Sequence, residues 1–306
     1  MTAISASAPP KLPVWQTVRA SYAIVGRNLR QLVRICWVWV LIMALVYIGL
    51  DWLAEIWLKD SAAQAHHWLR EIAAALPMPV DLPFLASIAV AWHRLVLRGE
   101  RVTQPTYVRL DGVVWRYVLY AFVFLLLERG TLLITALLAL NLAIEADPST
   151  RTLIDEVLAA PAATGATMAV GLLVLPRLSL VMPALALDER LSLRRAWRIT
   201  RGNTLRLGAA TALCMLPAVT LAMMVPLLML LVRAPWWLDF SWPQIVALMW
   251  AWRPVWDLAI QLSQSLAYAV FVGIAYPVLT IFGVTLLSLT YRFFAVPSDG
   301  RPSTLG

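Results

Sequence analysis

The stretch "YVLYAFVFLLLERGTLLITALLALNLAI", residues 117–144, constrains this chain more than any other feature, because it carries only two charged side chains. As a helix it exceeds the roughly 30 Å hydrocarbon core of a bilayer, which takes about 20 residues to cross. In that core every backbone polar group needs an internal partner, and an unbroken helix supplies one. Comparable apolar runs recur, and the pattern predicts six spans near 35–57, 80–97, 115–143, 163–187, 205–232 and 259–294. Composition agrees: 61% of residues are hydrophobic and 14% charged, where a soluble domain carries about a quarter charged. The expected fold is all-α, a polytopic membrane helical bundle of six transmembrane helices with amphipathic interfacial helices. One domain over 13–296 is flanked by disordered tails at 1–12 and 297–306. The first apolar run, from Ile35, is too long for a signal-peptide core and has no small-residue cleavage pattern after it.

Charge sets the expected orientation. The N-terminal flank, the second and fourth connections and the C-terminal tail hold 18 of the 25 basic residues. The opposite connections hold Lys59, Arg70, Arg151, Arg233 and Arg253, with eleven of the seventeen acids. Basic flanks stay on the cytoplasmic side. The chain therefore reads as a multi-pass protein of the bacterial inner membrane with both termini cytoplasmic.

The densest basic segment is "ERLSLRRAWRITRGNTLRL", residues 189–207, with six arginines. Leu193, Trp197 and Thr200 recur at helical spacing, and Arg194, Arg198 and Arg201 follow one position on. That pattern predicts a short amphipathic helix capped by Ser192 and ended by Gly202 and Asn203. It lies in the headgroup plane, with Arg194, Arg195, Arg198 and Arg201 toward lipid phosphates. "VRASYAIVGRNLRQL" (18–32) sets Tyr22, Ile24 and Asn28 where this segment sets Trp197, Ile199 and Asn203, and "PTYVRLDGVVWRYV" (105–118) is a weaker copy. The rhythm suggests three units near 13–104, 105–188 and 189–296, each an interfacial helix followed by a two-span hairpin.

Two patches, "RLSLVMPALALDERLSLRRAWRITRGN" (177–203) and "AVAWHRLVLRGE" (89–100), resemble segments of uncharacterised six-span bacterial membrane proteins. That group is related to the membrane domain attached to some glycerophosphoryl diester phosphodiesterases. The resemblance implies fold and topology. It does not imply catalysis, because those enzymes place their chemistry in a separate soluble barrel.

Candidates for chemistry are few. HExxH, GxSxG, GxxxxGK[ST] and GxGxxG are all absent from the sequence. Cys36 and Cys214 lie in apolar runs without metal or redox spacing. His66 and His67 are sequence neighbours that diverge on a helix, and His93 reads as a snorkelling interfacial residue. No cofactor, metal site or catalytic residue is expected, and no nucleic-acid partner. Glu128 and Arg129 interrupt the third span and Arg177 the fourth. Charge at such depth demands a partner, and counting rise along straight helices predicts a Glu128–Arg177 pair. Pro176, Pro183, Pro217, Pro226 and Pro277 predict kinks in the last three spans. The fifth connection clusters Trp236, Trp237, Trp242, Trp250, Trp252 and Trp256, which reads as an outer interfacial cap. The expected function is non-catalytic. It works through anionic lipids on the cytoplasmic face or an unidentified membrane or envelope protein. A carrier or permease for a lipid or small anion is the alternative.

Overall fold

The computed structural model describes residues 10–59, 77–145, 160–233 and 266–295, and among these every regular element is helical. In chain order they are α1 (Val14–Arg27), α2 (Leu29–Lys59), α3 (Pro77–Arg98), α4 (Gly112–Glu145) and α5 (Ala160–Ala169). A π-helical turn, Val170–Val174, leads into α6 (Leu175–Leu178), α7 (Val181–Ala186), α8 (Leu193–Ile199), α9 (Thr204–Arg233) and α10 (Leu266–Ala295). Two of them are long and apolar enough to cross a membrane, over Leu29–Val46 and Gly112–Thr135, each with a mean hydropathy of 1.8. Shorter apolar stretches occupy Gly165–Leu178, Thr204–Pro217 and Thr280–Ala295.

The chain forms two compact units. One gathers residues 36–81 and 215–279; within it Trp39 is buried while Leu41 and Leu45 are exposed. The other gathers residues 1–35, 82–214 and 280–306 and contains everything that follows.

In this larger unit α1 buries Thr17, Val18, Ser21 and Val25, one helical face, and exposes Trp15, Gln16 and Arg19. It ends at Asn28, whose side-chain amide donates to the Ile24 carbonyl at 2.8 Å and so competes with helix continuation. Leu12 and Val18 pack with Leu207, Ala210 and Cys214 of α9 and Leu286 of α10. Tyr22 crosses to donate to the Cys214 carbonyl at 2.9 Å and lies against Phe282. A second cluster joins Leu180, Val181, Ala184 and Leu187 to Ala196 of α8 and Tyr291 of α10. Gly208 explains how closely α9 meets the π turn: a Cβ there would stand 2.8 Å from the Leu172 carbonyl oxygen.

A polar seam links α3, α4 and α10. Trp92 donates to Thr285 at 2.7 Å. His93 is wholly buried between Ser288, 2.7 Å from Nδ1, and Tyr117, 3.2 Å from Nε2. Ser288 commits its proton to the Val284 carbonyl, so Nδ1 carries the hydrogen toward Ser288 and Nε2 accepts from Tyr117. His93 is therefore a packed core hub, not a snorkelling residue. Its neighbours Ser288 and Tyr117 were too distant in sequence to be seen.

Three further expectations change. Residues 99–111 are not helical, so the lead-in helix before the third span is absent; Gly99 at φ 70° ends α3, and Asp111 starts α4 by accepting the Val114 N–H at 3.2 Å. Proline is also interior to an earlier span, at Pro83 of α3, while Pro217 and Pro226 lie within α9 as read from the sequence. The segment Pro10–Leu12, assigned from sequence to a loose tail, is held in place. Asn203 accepts the Leu12 N–H at 2.8 Å and donates to the Pro10 carbonyl at 3.0 Å, and Arg206 donates to the Leu12 carbonyl at 3.0 Å.

That clamp is testable. Asn203→Ala leaves a buried N–H and a carbonyl unpartnered, a cost of about 2–3 kcal/mol. Trypsin should then cut after Lys11 several-fold faster than in the wild type, where Leu12 is wholly buried. Equal cleavage rates would show that apolar packing alone holds the segment.

Candidate functional site

The basic segment folds as α8, seven residues long, with the Ser192 hydroxyl accepting the Arg195 N–H at 3.2 Å. Gly202 at φ 80° ends the turn beyond it. Ala196 and Thr200 form its buried face. Leu193 and Trp197, apolar positions of the predicted amphipathic helix, are 37% and 42% exposed, beside exposed Arg194, Arg195, Arg198 and Arg201.

Arg177 reaches this helix and not Glu128. Its guanidinium is buried, donates to the Thr200 hydroxyl at 3.1 Å and the Trp197 carbonyl at 2.8 Å, and lies 3.5 Å from the centre of the Trp197 ring. A cation at a helix C-terminus meets the partial negative charge of unpaired carbonyls, and the indole face adds to it. The expected Glu128–Arg177 pair assumed a straight fourth span. The segment instead widens into a π turn over Val170–Val174 and breaks at Ser179–Leu180, and Arg177 meets α8. Glu128 is half-buried and Arg129 exposed on α4. The tryptophans from Trp236 to Trp256, with His66 and His67, lie outside the described residues.

Sequence reasoning missed the junction between α7 and α8. The α7 helix closes with the Glu189 N–H on the Ala184 carbonyl (2.8 Å) and the Asp188 N–H on the Leu185 carbonyl (3.0 Å), the paired bonds of a left-handed helix stop. Glycine usually fills the left-handed position; here Asp188 does, at φ 59°. Its carboxylate takes Arg94 at 3.2 Å and Arg116 at 3.1 Å. The remaining carbonyls are met by arginines of α3: Arg94 donates to Ala186 at 2.7 Å and Arg98 to Leu187 at 2.6 Å. Tyr291 of α10 donates to Glu189. The sequence did hold one signal: Asp188 and Glu189 are the only acids in a connection otherwise rich in arginine.

A second acid organises the start of α4. Arg109 donates to Asp111 through Nε at 2.6 Å and again through Nη2. Burial raises the Asp111 carboxyl, but the Arg109 bond, the Val114 N–H and the nearby arginine charges outweigh it and hold it below the ordinary carboxylate range. Burial likewise pushes the Tyr107 phenol up, against the pull of Arg109 and Arg94.

This geometry offers fixed guanidinium groups, hydroxyls and amides at one end of the unit. Among the described residues no group of three or more His, Cys, Asp or Glu side chains is arranged to hold a metal. Comparison with protein-family models, with curated proteins and with solved structures returns no match.

Two predictions follow from the acids. Asp188→Ala keeps the left-handed strain and loses both ion pairs, so its unfolding midpoint should fall furthest, by about 1–2 kcal/mol of stability. Asp188→Gly relieves the strain and should fall less; equal losses would leave the ion pairs as the whole effect. For Asp111 the folded carboxyl binds its proton less tightly than the unfolded one. Its stabilisation is thus present above the ordinary carboxylate range and lost as pH falls through it. Asp111→Asn should be less stable than wild type at neutral pH, and the two thermal midpoints should converge as pH falls below the ordinary carboxylate range.

Proposed function

We propose that this chain is a non-catalytic, six-span protein of the bacterial inner membrane that works by holding anionic lipid headgroups at its cytoplasmic face. Both termini lie on that face. The two membrane-length helices and the three shorter apolar stretches support the span assignment, and the one-sided basic residues support the orientation.

One observation carries the lipid reading. Cationic and large apolar side chains are exposed together on short helices whose other faces are buried. Trp15, 69% exposed, stands near Arg19 on α1, and Leu193 and Trp197 stand among Arg194, Arg195 and Arg198 on α8. Water disfavours the apolar members and hydrocarbon the charged ones, so the headgroup boundary suits both.

The broken fourth span favours transport of a lipid or small anion as a second reading, since discontinuous helices line many carrier sites. Against it, the Arg177 charge is already met by Trp197 and Thr200. A protein partner in the membrane or envelope would engage the same exposed arginines and indoles.

The test is reconstitution into nanodiscs of mixed phosphatidylcholine and phosphatidylglycerol, with the retained lipid measured by mass spectrometry. At about 1 kcal/mol per arginine, replacing Arg194, Arg195, Arg198 and Arg201 by glutamine should cut phosphatidylglycerol enrichment several-fold. Unchanged enrichment would remove α8 from the proposed role. A stoichiometric protein retained by wild type and lost from this variant would favour the partner instead.

A further inference from the structure

Residues 107–110, which lead into α4, carry no helix, and their side chains alternate in exposure. Val108 and Leu110 are 56% and 47% exposed, whereas Tyr107 and Arg109 are half-buried. Alternation with a period of two is that of an extended chain, whose successive side chains point to opposite sides. Water favours the reverse arrangement, with the aliphatic pair inside and the cation outside. Bonds hold the inversion in place. Arg109 donates to Asp111 through Nε at 2.6 Å and also to the Tyr107 hydroxyl. Asp111 in turn accepts the Val114 N–H that starts α4. The cap of α4 therefore turns Arg109 inward and leaves Val108 and Leu110 outward.

The outward apolar surface continues into α4. Trp115 is 53% exposed on its first turn, and Leu119, Phe122, Val123 and Leu126 follow it outward. All of these lie within Gly112–Thr135, which is long and apolar enough to cross a membrane. Arg116 is exposed beside Trp115. An indole and an arginine at the start of an apolar face mark the level at which a helix enters a bilayer.

We infer that residues 107–110 dip into the headgroup–acyl boundary of the cytoplasmic leaflet, with Val108 and Leu110 against acyl chains and Tyr107 and Arg109 turned back to the protein. The occupant of this surface is phospholipid, because the aliphatic pair is continuous with the outward face of a membrane-length helix. The contact is between acyl chains and apolar side chains, so it needs no anionic headgroup. It is thereby separate from the arginine contacts of α1 and α8. It also sets the height of α8, since Arg116 bonds Asp188 at 3.1 Å and the Asp188 turn leads into that helix. The inference rests on the membrane reading for one point, that α4 is a span.

Spin labels on the full chain in phosphatidylcholine nanodiscs test this. Val108→Cys, Leu110→Cys, Gln104→Cys and Leu119→Cys are each made with Cys36→Ala and Cys214→Ala and labelled with a nitroxide. Collisions are then measured with oxygen, which concentrates among acyl chains, and with a nickel chelate, which stays in water. Labels at 108 and 110 should meet oxygen several-fold more than the chelate, as the label at 119 does, and the label at 104 should show the reverse. Wild-type cleavage rates after Lys11 verify that the variants fold. If 108 and 110 behave like 104 while 119 stays among acyl chains, the segment sits in water and the inference alone is overturned. If both are immobilised and shielded from either reagent, protein stands where lipid is expected, which also overturns it. A water-exposed label at 119 removes the span, and the membrane reading falls with it. The four-arginine α8 variant should keep the pattern while losing phosphatidylglycerol enrichment, so failure here and failure of the surface-lipid reading are distinguishable.

Discussion

Arginine side chains donating to main-chain carbonyls hold the described core together. A helix that stops beneath packed side chains leaves its last carbonyls without partners, and an unpaired buried carbonyl costs about 1–3 kcal/mol. In this chain Arg94 and Arg98 meet the end of α7, Arg177 meets the end of α8, and Arg206 meets the segment that leads into α1. Each of these bonds joins segments distant in sequence. Lysine would serve poorly, because Arg94 reaches the Ala186 carbonyl through Nε while presenting Nη2 to Asp188. Short, interrupted helices become possible because these guanidinium groups close them.

This use of arginine divides the basic residues into two populations with different work. Arg94, Arg98, Arg177 and Arg206 donate to main-chain carbonyls and serve the fold. Arg194, Arg195, Arg198 and Arg201 turn outward with Trp197 and Leu193, and on the proposed reading they serve the membrane surface. The same electrostatics underlies both: a guanidinium seeks oxygen acceptors, and it takes backbone carbonyls where the chain offers them, which leaves the outward arginines free for the proposed phosphate contacts.

What was legible in the sequence was local. The Ser192 cap, the stop at Gly202 and the amphipathic character of α8 follow from residues within one or two turns of each other, and the structure has them. Which side of α8 faces inward was not legible, since Ala196 fits against α7 more closely than Leu193 or Trp197. The depth of Arg177 failed for a related reason: rise per residue measures depth only along an unbroken helix. His93 and Asn203 look like ordinary polar residues until Ser288, Tyr117, Pro10 and Leu12 are brought beside them.

The sequence alone determined that the chain is helical, because long apolar runs with few charges give the backbone no cheaper way to satisfy its own hydrogen bonds. It also determined where the basic residues concentrate, since charge is countable without coordinates. Tertiary structure decided which of those charges are consumed internally. An arginine ten residues from a carboxylate and one ninety residues away are equally plausible partners on paper. Only packing of α3 and α4 against the Asp188 turn, and of α6 against α8, selects the acceptor each guanidinium reaches, because hydrogen bonds act over about 3 Å and sequence distance does not measure that.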